Sequence, residues 1–326
     1  MVNSVPVPGK LIEFIRDGSK FILAGHEEPD GDCIGSILAL CSVLRRLGKE
    51  AIPFSAGPFK RTEVIPYAGR FKLIPDEAEK SGARLLLVDC SELSRTGELQ
   101  PHLAGLPIAI IDHHASGKNI AAPENAPFFL DPGSPSVTLM VHTLIEKLGL
   151  ELTREEASLL LFGLCTDTGF FRHVDDSGEG TFLKAAELIR AGASPKQAFL
   201  AINGGKSLDS RILLGRVLSR SRSYFNGRLI ISFEEYADLE TLGASSRDSD
   251  SLYQLLQAVQ GVEAIAFIRQ DTPEKFSVGL RSREIDVGAI AASLGGGGHK
   301  NAAGFISSED ISIIKKNILD KFQNIF

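Results

Sequence analysis

The sequence predicts an α/β fold: a parallel sheet covered by helices in the first half, followed by a smaller α+β domain. Two observations carry this. Short, continuously apolar runs alternate with amphipathic stretches through the first half. Strands of a sheet covered on both faces read as unbroken apolar runs, not as alternating ones. The chain is also long for one domain: 326 residues fit about two. A glycine-rich break at Asn203-Gly204-Gly205 separates two differently patterned halves, which sets expected domains of 1–203 and 204–326.

KFILAG (20–25) is the first expected strand. Ile34, Ile37, Leu38, Cys41, Leu44 and Leu47 then recur at helical spacing, and Gly48 supplies a stop. AIPF (51–54), RLLLVD (84–89), IAIID (108–112) and FFLD (128–131) predict four more strands, and 135–165 and 178–203 are mainly helical. The second half opens with a helix over 207–222. Strands RLIISF (228–233), AIAFIRQ (264–270) and KFSVGLR (275–281) follow, with helices around 249–259 and 286–294. A glycine tetrad (295–298) and a terminal helix over 308–323 complete the chain.

Composition narrows the class. With 43% hydrophobic and 23% charged residues, a packed core is expected. No apolar run reaches the roughly 18 residues of a membrane span. The start, MVNSVPVPGK, lacks the layout of a secretory signal. Cys33, Cys41, Cys90 and Cys165 have no CxxC spacing, which argues against a disulfide framework or zinc ribbon and for a reducing cytoplasm. A net charge of −6 gives no global attraction for nucleic acid, so any bound strand is short or locally gripped. Trp is absent, leaving Phe and Tyr as stacking surfaces.

Four segments at strand ends or in loops carry the chemistry, at the edge where open α/β sheets bind ligands. HEEPDGDCIGS (26–36) offers His26, Asp30 and Asp32; LLLVDCSELSRTG offers Asp89. IDHHAS (111–116) offers Asp112, His113 and His114, and LCTDTGFFRH offers Asp167. Any one aspartate here would pass as a helix cap or turn. Together they crowd too many carboxylates into one cleft without a cation, because like charges repel and raise each other's pKa. Two divalent ions would bring four aspartates near neutrality, and mixed Asp/His ligation without thiolate favours Mn²⁺, with Mg²⁺ and Co²⁺ as alternatives. Such a pair could stabilise the attacking and leaving oxygens of a phosphoryl displacement.

These motifs, in this order, resemble the DHH phosphoesterase superfamily. The resemblance spans residues 26–173 and implies a two-metal, metal-activated-water mechanism. It implies one ion held by His26, Asp30 and Asp89, and another by Asp32, Asp89, His113 and Asp167, with Asp89 bridging. It further implies that His114 faces the substrate phosphate and that Asp112 orients a histidine. GGGGHKNAAGF (295–305) resembles the glycine-rich motif of the DHH-associated domain. Its Gly296, Gly297 and Gly298 are expected to form an anion-binding backbone nest, with His299 and Lys300 as donors. Arg281-Ser282 is expected as a second substrate contact, and Arg172-His173 follows the fourth motif where the family places substrate-facing groups. The active site is then expected in the cleft between the domains. His102 and His142 read as surface or structural residues, and Cys33 as packing.

The resemblance favours the nanoRNase/pAp-phosphatase branch, acting on short oligoribonucleotides and 3′-phosphoadenosine-5′-phosphate (pAp). A phosphodiesterase of linear or cyclic dinucleotides (pApA, c-di-AMP) is the alternative. A catalytically idle nucleotide-binding regulator is a further one. No long duplex nucleic acid or membrane partner is expected. A homodimer is an option, with apolar residues 155–165 serving either as interface or as core.

Overall fold

The computed structural model describes residues 5–114, 126–174 and 178–326. They form two compact units, Met1–Gly205 and Lys206–Phe326.

The first unit is built on five parallel strands: β1 (Lys20–Ala24), β2 (Glu50–Phe54), β3 (Arg84–Val88), β4 (Ile108–Asp112) and β5 (Phe128–Leu130). Their order is β2-β1-β3-β4-β5. Its helices are α1 (Gly9–Asp17), α2 (Gly31–Arg46), single-turn α3 (Glu77–Lys80) and α4 (Gln100–Leu103), α5 (Val137–Lys147), α6 (Arg154–Asp167), α7 (Glu179–Arg190) and α8 (Pro195–Asn203). Alternate side chains of each strand serve opposite faces. Leu86 and Val88 of β3 pack with α2, α5 and α6, while Leu85 and Leu87 join Phe54, Leu99 and Leu103 on the other side. That two-sided burial is why the strands read as unbroken apolar runs.

Helix α2 starts at Gly31, earlier than its apolar periodicity indicates, because Asp30 caps it. The Asp30 Oδ1 accepts from the amides of Asp32 and Cys33, both at 3.1 Å. The expected helical stretch 135–165 is two helices, with Ser136 and Thr153 as their N-caps. The stretch 178–203 also divides, at Gly192 (φ +103°), before Pro195 starts α8. Helix α1 was not anticipated, although Leu11, Ile12 and Ile15 are buried from it. Within the stretch 155–165, Ala157, Leu159, Leu160, Leu161, Phe162, Leu164 and Cys165 are buried in the core. His142 is buried on α5, with Nε2 3.7 Å from Glu187.

The second unit holds a six-stranded mixed sheet, ordered β10-β11-β9-β8-β7-β6. Its strands are β6 (Arg222–Tyr224), β7 (Leu229–Glu234), β8 (Ala264–Thr272), β9 (Lys275–Ser282), β10 (Gly297–His299) and β11 (Ala302–Ser307). Only β7 and β8 pair in parallel. Helices α9 (Leu208–Ser219), α10 (Tyr236–Leu242), α11 (Ser249–Gln257), α12 (Val287–Ser293) and α13 (Ile311–Phe322) complete it. Half of the glycine tetrad is therefore strand: β10 and β11 form a hairpin pairing Gly297 with Gly304 and His299 with Ala302. Among the described residues no helix is long and apolar enough to cross a membrane.

Candidate active site

The carboxyl edge of the parallel sheet gathers the charged groups. His26 follows β1, Asp89 directly follows β3, and Asp112 ends β4 before His113 and His114. Asp30 and Asp32 sit at the N-terminus of α2, and Asp167 ends α6. Close packing of α2 against α6 brings the last of these in. A Cβ on Gly35 would lie 2.5 Å from the Leu159 carbonyl oxygen, and one on Gly163 would lie 3.0 Å from the Asp32 Cα.

Asp89 is central. Its Oδ2 lies 3.5 Å from His26 Nε2, and its Oδ1 lies 3.8 Å from His113 Nε2. His26 Nε2 is also 3.9 Å from Asp30 Oδ1, and His113 Nε2 is 3.3 Å from Asp167 Oδ2. Asp32 joins His113 and Asp167, with candidate ligand atoms within 4.8 Å of one another. Asp89 is held at φ +63°, a left-handed conformation that costs an aspartate about 1–3 kcal/mol and is typical of functional positions.

The tautomers are set by the backbone. His26 Nδ1 meets the Glu27 carbonyl oxygen at 2.7 Å, and His113 Nδ1 meets the Ser134 carbonyl oxygen at 3.0 Å. A carbonyl only accepts, so each Nδ1 carries a proton and Nε2 is the ring nitrogen that faces the carboxylates. That is the arrangement of a metal-ligating histidine fixed by an outer hydrogen bond. Asp32 is held by the amides of Val137 (2.6 Å) and Thr138 (2.9 Å) at the start of α5.

Electrostatics make the same demand. Burial, then the charges of Asp167 and Asp30, pushes Asp32 up to about 8. Burial, then Asp32, Asp30 and Asp167, drives Asp89 well above the ordinary carboxylate range; burial and Asp30 also raise Asp167. Within this cluster Asp89 Oδ1 is buried without a hydrogen-bond partner. An orphaned carboxylate oxygen facing a histidine Nε2 fits a divalent cation, which would supply the missing partner and relieve the like-charge crowding.

His114 differs from its neighbour. Its Nδ1 donates to Asp112 Oδ1 at 2.7 Å, that bond raises its pKa, and the ring is half exposed. Burial alone would raise Asp112, but the hydrogen bonds from His114 and Ser91 outweigh it and hold the carboxylate low. Sequence reasoning missed Ser91 and the carbonyls of Glu27 and Ser134. Cys33, read as packing, has its sulfur among the candidate ligand atoms of His26 and Asp89. Burial pushes that thiol well above its usual range, which keeps it protonated.

The remaining expected residues are placed as follows. Arg172 is exposed, and its Nε donates to the Gly169 carbonyl at 2.8 Å. Arg281, Ala302 and His299 stand in register across β9, β11 and β10, so Arg281 and His299 share a sheet face on either side of a small residue. The Arg281 guanidinium lies over the Tyr253 ring, 4.5 Å from its centroid. Lys300 is exposed at the hairpin tip. Ser282 is a correction: its buried hydroxyl donates to the Glu263 carbonyl and accepts from the amides of Glu284 and Ile285, leaving no donor for substrate. Of the glycines expected to form a nest, Gly297 and Gly298 lie in edge strand β10, paired with β11; a Cβ on Gly296 would lie 2.1 Å from the Gly304 carbonyl and one on Gly298 2.6 Å from the Ala303 Cα, while one on Gly297 would meet nothing within 4 Å.

Comparison with known proteins agrees with this architecture. The family model described as "DHH family, N-terminal domain" matches residues 20–164, and that of the DHHA1 domain matches residues 226–326. The bifunctional oligoribonuclease and PAP phosphatase NrnA of Thermus thermophilus is 33% identical over 86% of this chain and 82% of that protein. The cyclic-di-AMP phosphodiesterase GdpP of Bacillus subtilis is 27% identical over 93% of this chain and 47% of that protein. In fold, the chain is similar to the crystal structure of an exopolyphosphatase-related protein from Bacteroides fragilis, with a TM-score of 0.81 and 22% identity over 97% and 96% of the two chains. With one-third identity across most of a characterised relative and both domain models matched in order, the chain belongs to the DHH family of phosphoric ester hydrolases.

Proposed function

We propose that this protein hydrolyses short oligoribonucleotides and pAp with two divalent ions, Mn²⁺ first, at the Asp89 centre. The supporting observation is the placement of Asp89: its two oxygens turn toward two different histidines, and one of them is orphaned. We assign His26, Asp30 and Asp89 to one ion, and Asp32, Asp89, His113 and Asp167 to the other. The ions would supply positive charge against the phosphate and an acidified water.

The chain's own groups do the rest. Glu27 and Ser134 fix the two ligand histidines through Nδ1. Asp112 accepts from His114 Nδ1 and favours its protonated form, in which Nε2 donates a hydrogen bond to a phosphate oxygen. Arg281, His299 and Lys300 are assigned to gripping the nucleotide. The T. thermophilus relative named for oligoribonuclease and PAP phosphatase activity supports this choice of substrates. The relative named as a cyclic-di-AMP phosphodiesterase supports a second reading, dinucleotide hydrolysis.

A turnover panel with Mn²⁺ tests both readings: pAp, pApA, di- to pentanucleotide RNA, c-di-AMP and pyrophosphate. Turnover of pAp and short RNA is expected. Turnover of c-di-AMP or pApA alone would favour the second reading, and pyrophosphate alone would overturn both. Asp89→Ala and His113→Ala should each lower turnover by at least about a thousandfold while the protein stays folded by circular dichroism.

A further inference from the structure

Immediately after Asp167 the chain makes an unusual turn. Gly169, Phe170 and Phe171 are consecutively left-handed, with φ of +55°, +58° and +70°. Thr168 pins the turn, its hydroxyl donating to the Leu164 carbonyl and accepting from the Phe171 amide. The turn sends two aromatic rings toward α7 and α8. Phe171 stacks on Phe182, with centroids 5.2 Å apart and planes at 26°. Phe170 meets Phe199 edge-on at 5.4 Å and Phe171 edge-on at 5.7 Å. The outer members stay wet: Phe182 is 54% exposed and Phe199 is 49% exposed. Exposed Arg172 and His173 follow directly, folded against Gly169 so closely that a Cβ there would lie 2.8 Å from the His173 ring.

We infer that Phe170, Phe171, Phe182 and Phe199 form a stacking platform for the second base of a short single-stranded RNA, with Arg172 and His173 beside it for the strand's phosphate. The inference rests on the proposed function and adds a determinant of substrate class. Aromatic rings interleaved with cationic donors are the chemistry that holds single strands, because every base has a π-face. In a chain without Trp, phenylalanine and tyrosine are left to supply those faces, and this cluster is all phenylalanine. The left-handed turn ties the aromatic cluster to Asp167, only three residues before Phe170. A substrate with one base, pAp, has nothing to lay on the platform. An RNA of two or more nucleotides has.

The test is the ratio of kcat/KM for a trinucleotide RNA to that for pAp, measured with Mn²⁺ on the full chain. Phe182→Leu and Phe199→Leu keep apolar bulk but lose the ring, and each should lower the ratio about tenfold. Phe182→Trp should restore it. A ratio within twofold of the parent in both Leu variants overturns the platform. So does an equal loss on both substrates, or a changed oligomeric state by sedimentation, which would mean that a second copy covers this face. If the parent protein hydrolyses neither substrate, the proposed function fails instead. The platform is then judged by fluorescence anisotropy of a labelled trinucleotide, where equal affinity for parent and Phe182→Leu overturns it.

Discussion

Asp89 and Asp32 show why this site calls for a cation. In an unfolded chain a carboxyl ionises near pH 4, but Asp32 in the fold keeps its proton up to about pH 8. Between these values the folded chain binds more protons than the unfolded one, so stability falls as pH rises. Burial and like charges push Asp89 and Asp167 in the same direction. Chelator-treated protein should therefore lose at least several degrees of Tm between pH 5 and pH 8. Added Mn²⁺ should raise Tm more at pH 8, where the carboxylates are ready to bind it. A Tm that climbs over this interval without metal would contradict the assignment. Asp89→Asn removes a carboxyl whose ionisation the fold opposes, so its chelated form should melt higher than the parent at pH 8 while hydrolysis is lost. Stability and function thus pull against each other at this residue.

The helices explain how the charges meet, and glycine decides how closely. Gly35 of α2 faces the Leu159 carbonyl, and a Cβ would have to sit 2.5 Å from that backbone atom. Gly35→Ala should therefore push α6 from α2 and cost about 1–3 kcal/mol. It should also weaken Mn²⁺ affinity, since Asp32 and Asp167 ride on these two helices. Gly215, inside α9, makes the opposite case: nothing lies within 4 Å of its would-be Cβ. Gly215→Ala should stabilise by about 0.5–1 kcal/mol through helix propensity. Thermal melts of both variants, with Mn²⁺ titration calorimetry of the first, check the pair. The same contrast marks what the sequence could disclose. Strands β1, β3 and β4 were legible because burial on both faces leaves only apolar residues. The charged groups at their ends were legible because chemistry demands specific side chains. The groups that orient them were not: the carbonyls of Glu27 and Ser134 and the amides of Val137 and Thr138 belong to the backbone, which any residue could supply. The glycine tetrad hid a strand for a related reason, since glycine has no side chain with which to show alternation.

Across the whole molecule, charge limits what can be bound. The chain carries −6 overall, and the basic groups assigned to substrate are few: Arg172, His173, Arg281, His299 and Lys300, with His114 at the acidic cluster, whose Asp167 and His114 also feel the charges of Arg61 and Arg95. A protein neutralising Z phosphates of a single strand loses affinity with a slope of about −0.7Z in log salt. Two or three phosphate contacts give a slope of about −1.4 to −2.1, or roughly 7- to 20-fold weaker binding between 50 and 200 mM salt. A binder of long nucleic acid, with six to ten contacts on duplex DNA, loses about a thousandfold or more over the same range. The KM for a trinucleotide at fixed Mn²⁺ should therefore follow the shallow line. Lengthening the RNA beyond about five nucleotides should leave that slope unchanged, because the added phosphates then keep their counterions instead of exchanging them for protein cations. A slope that steepens with RNA length would mean that a longer basic track receives the strand, and the short-substrate reading would fall with it.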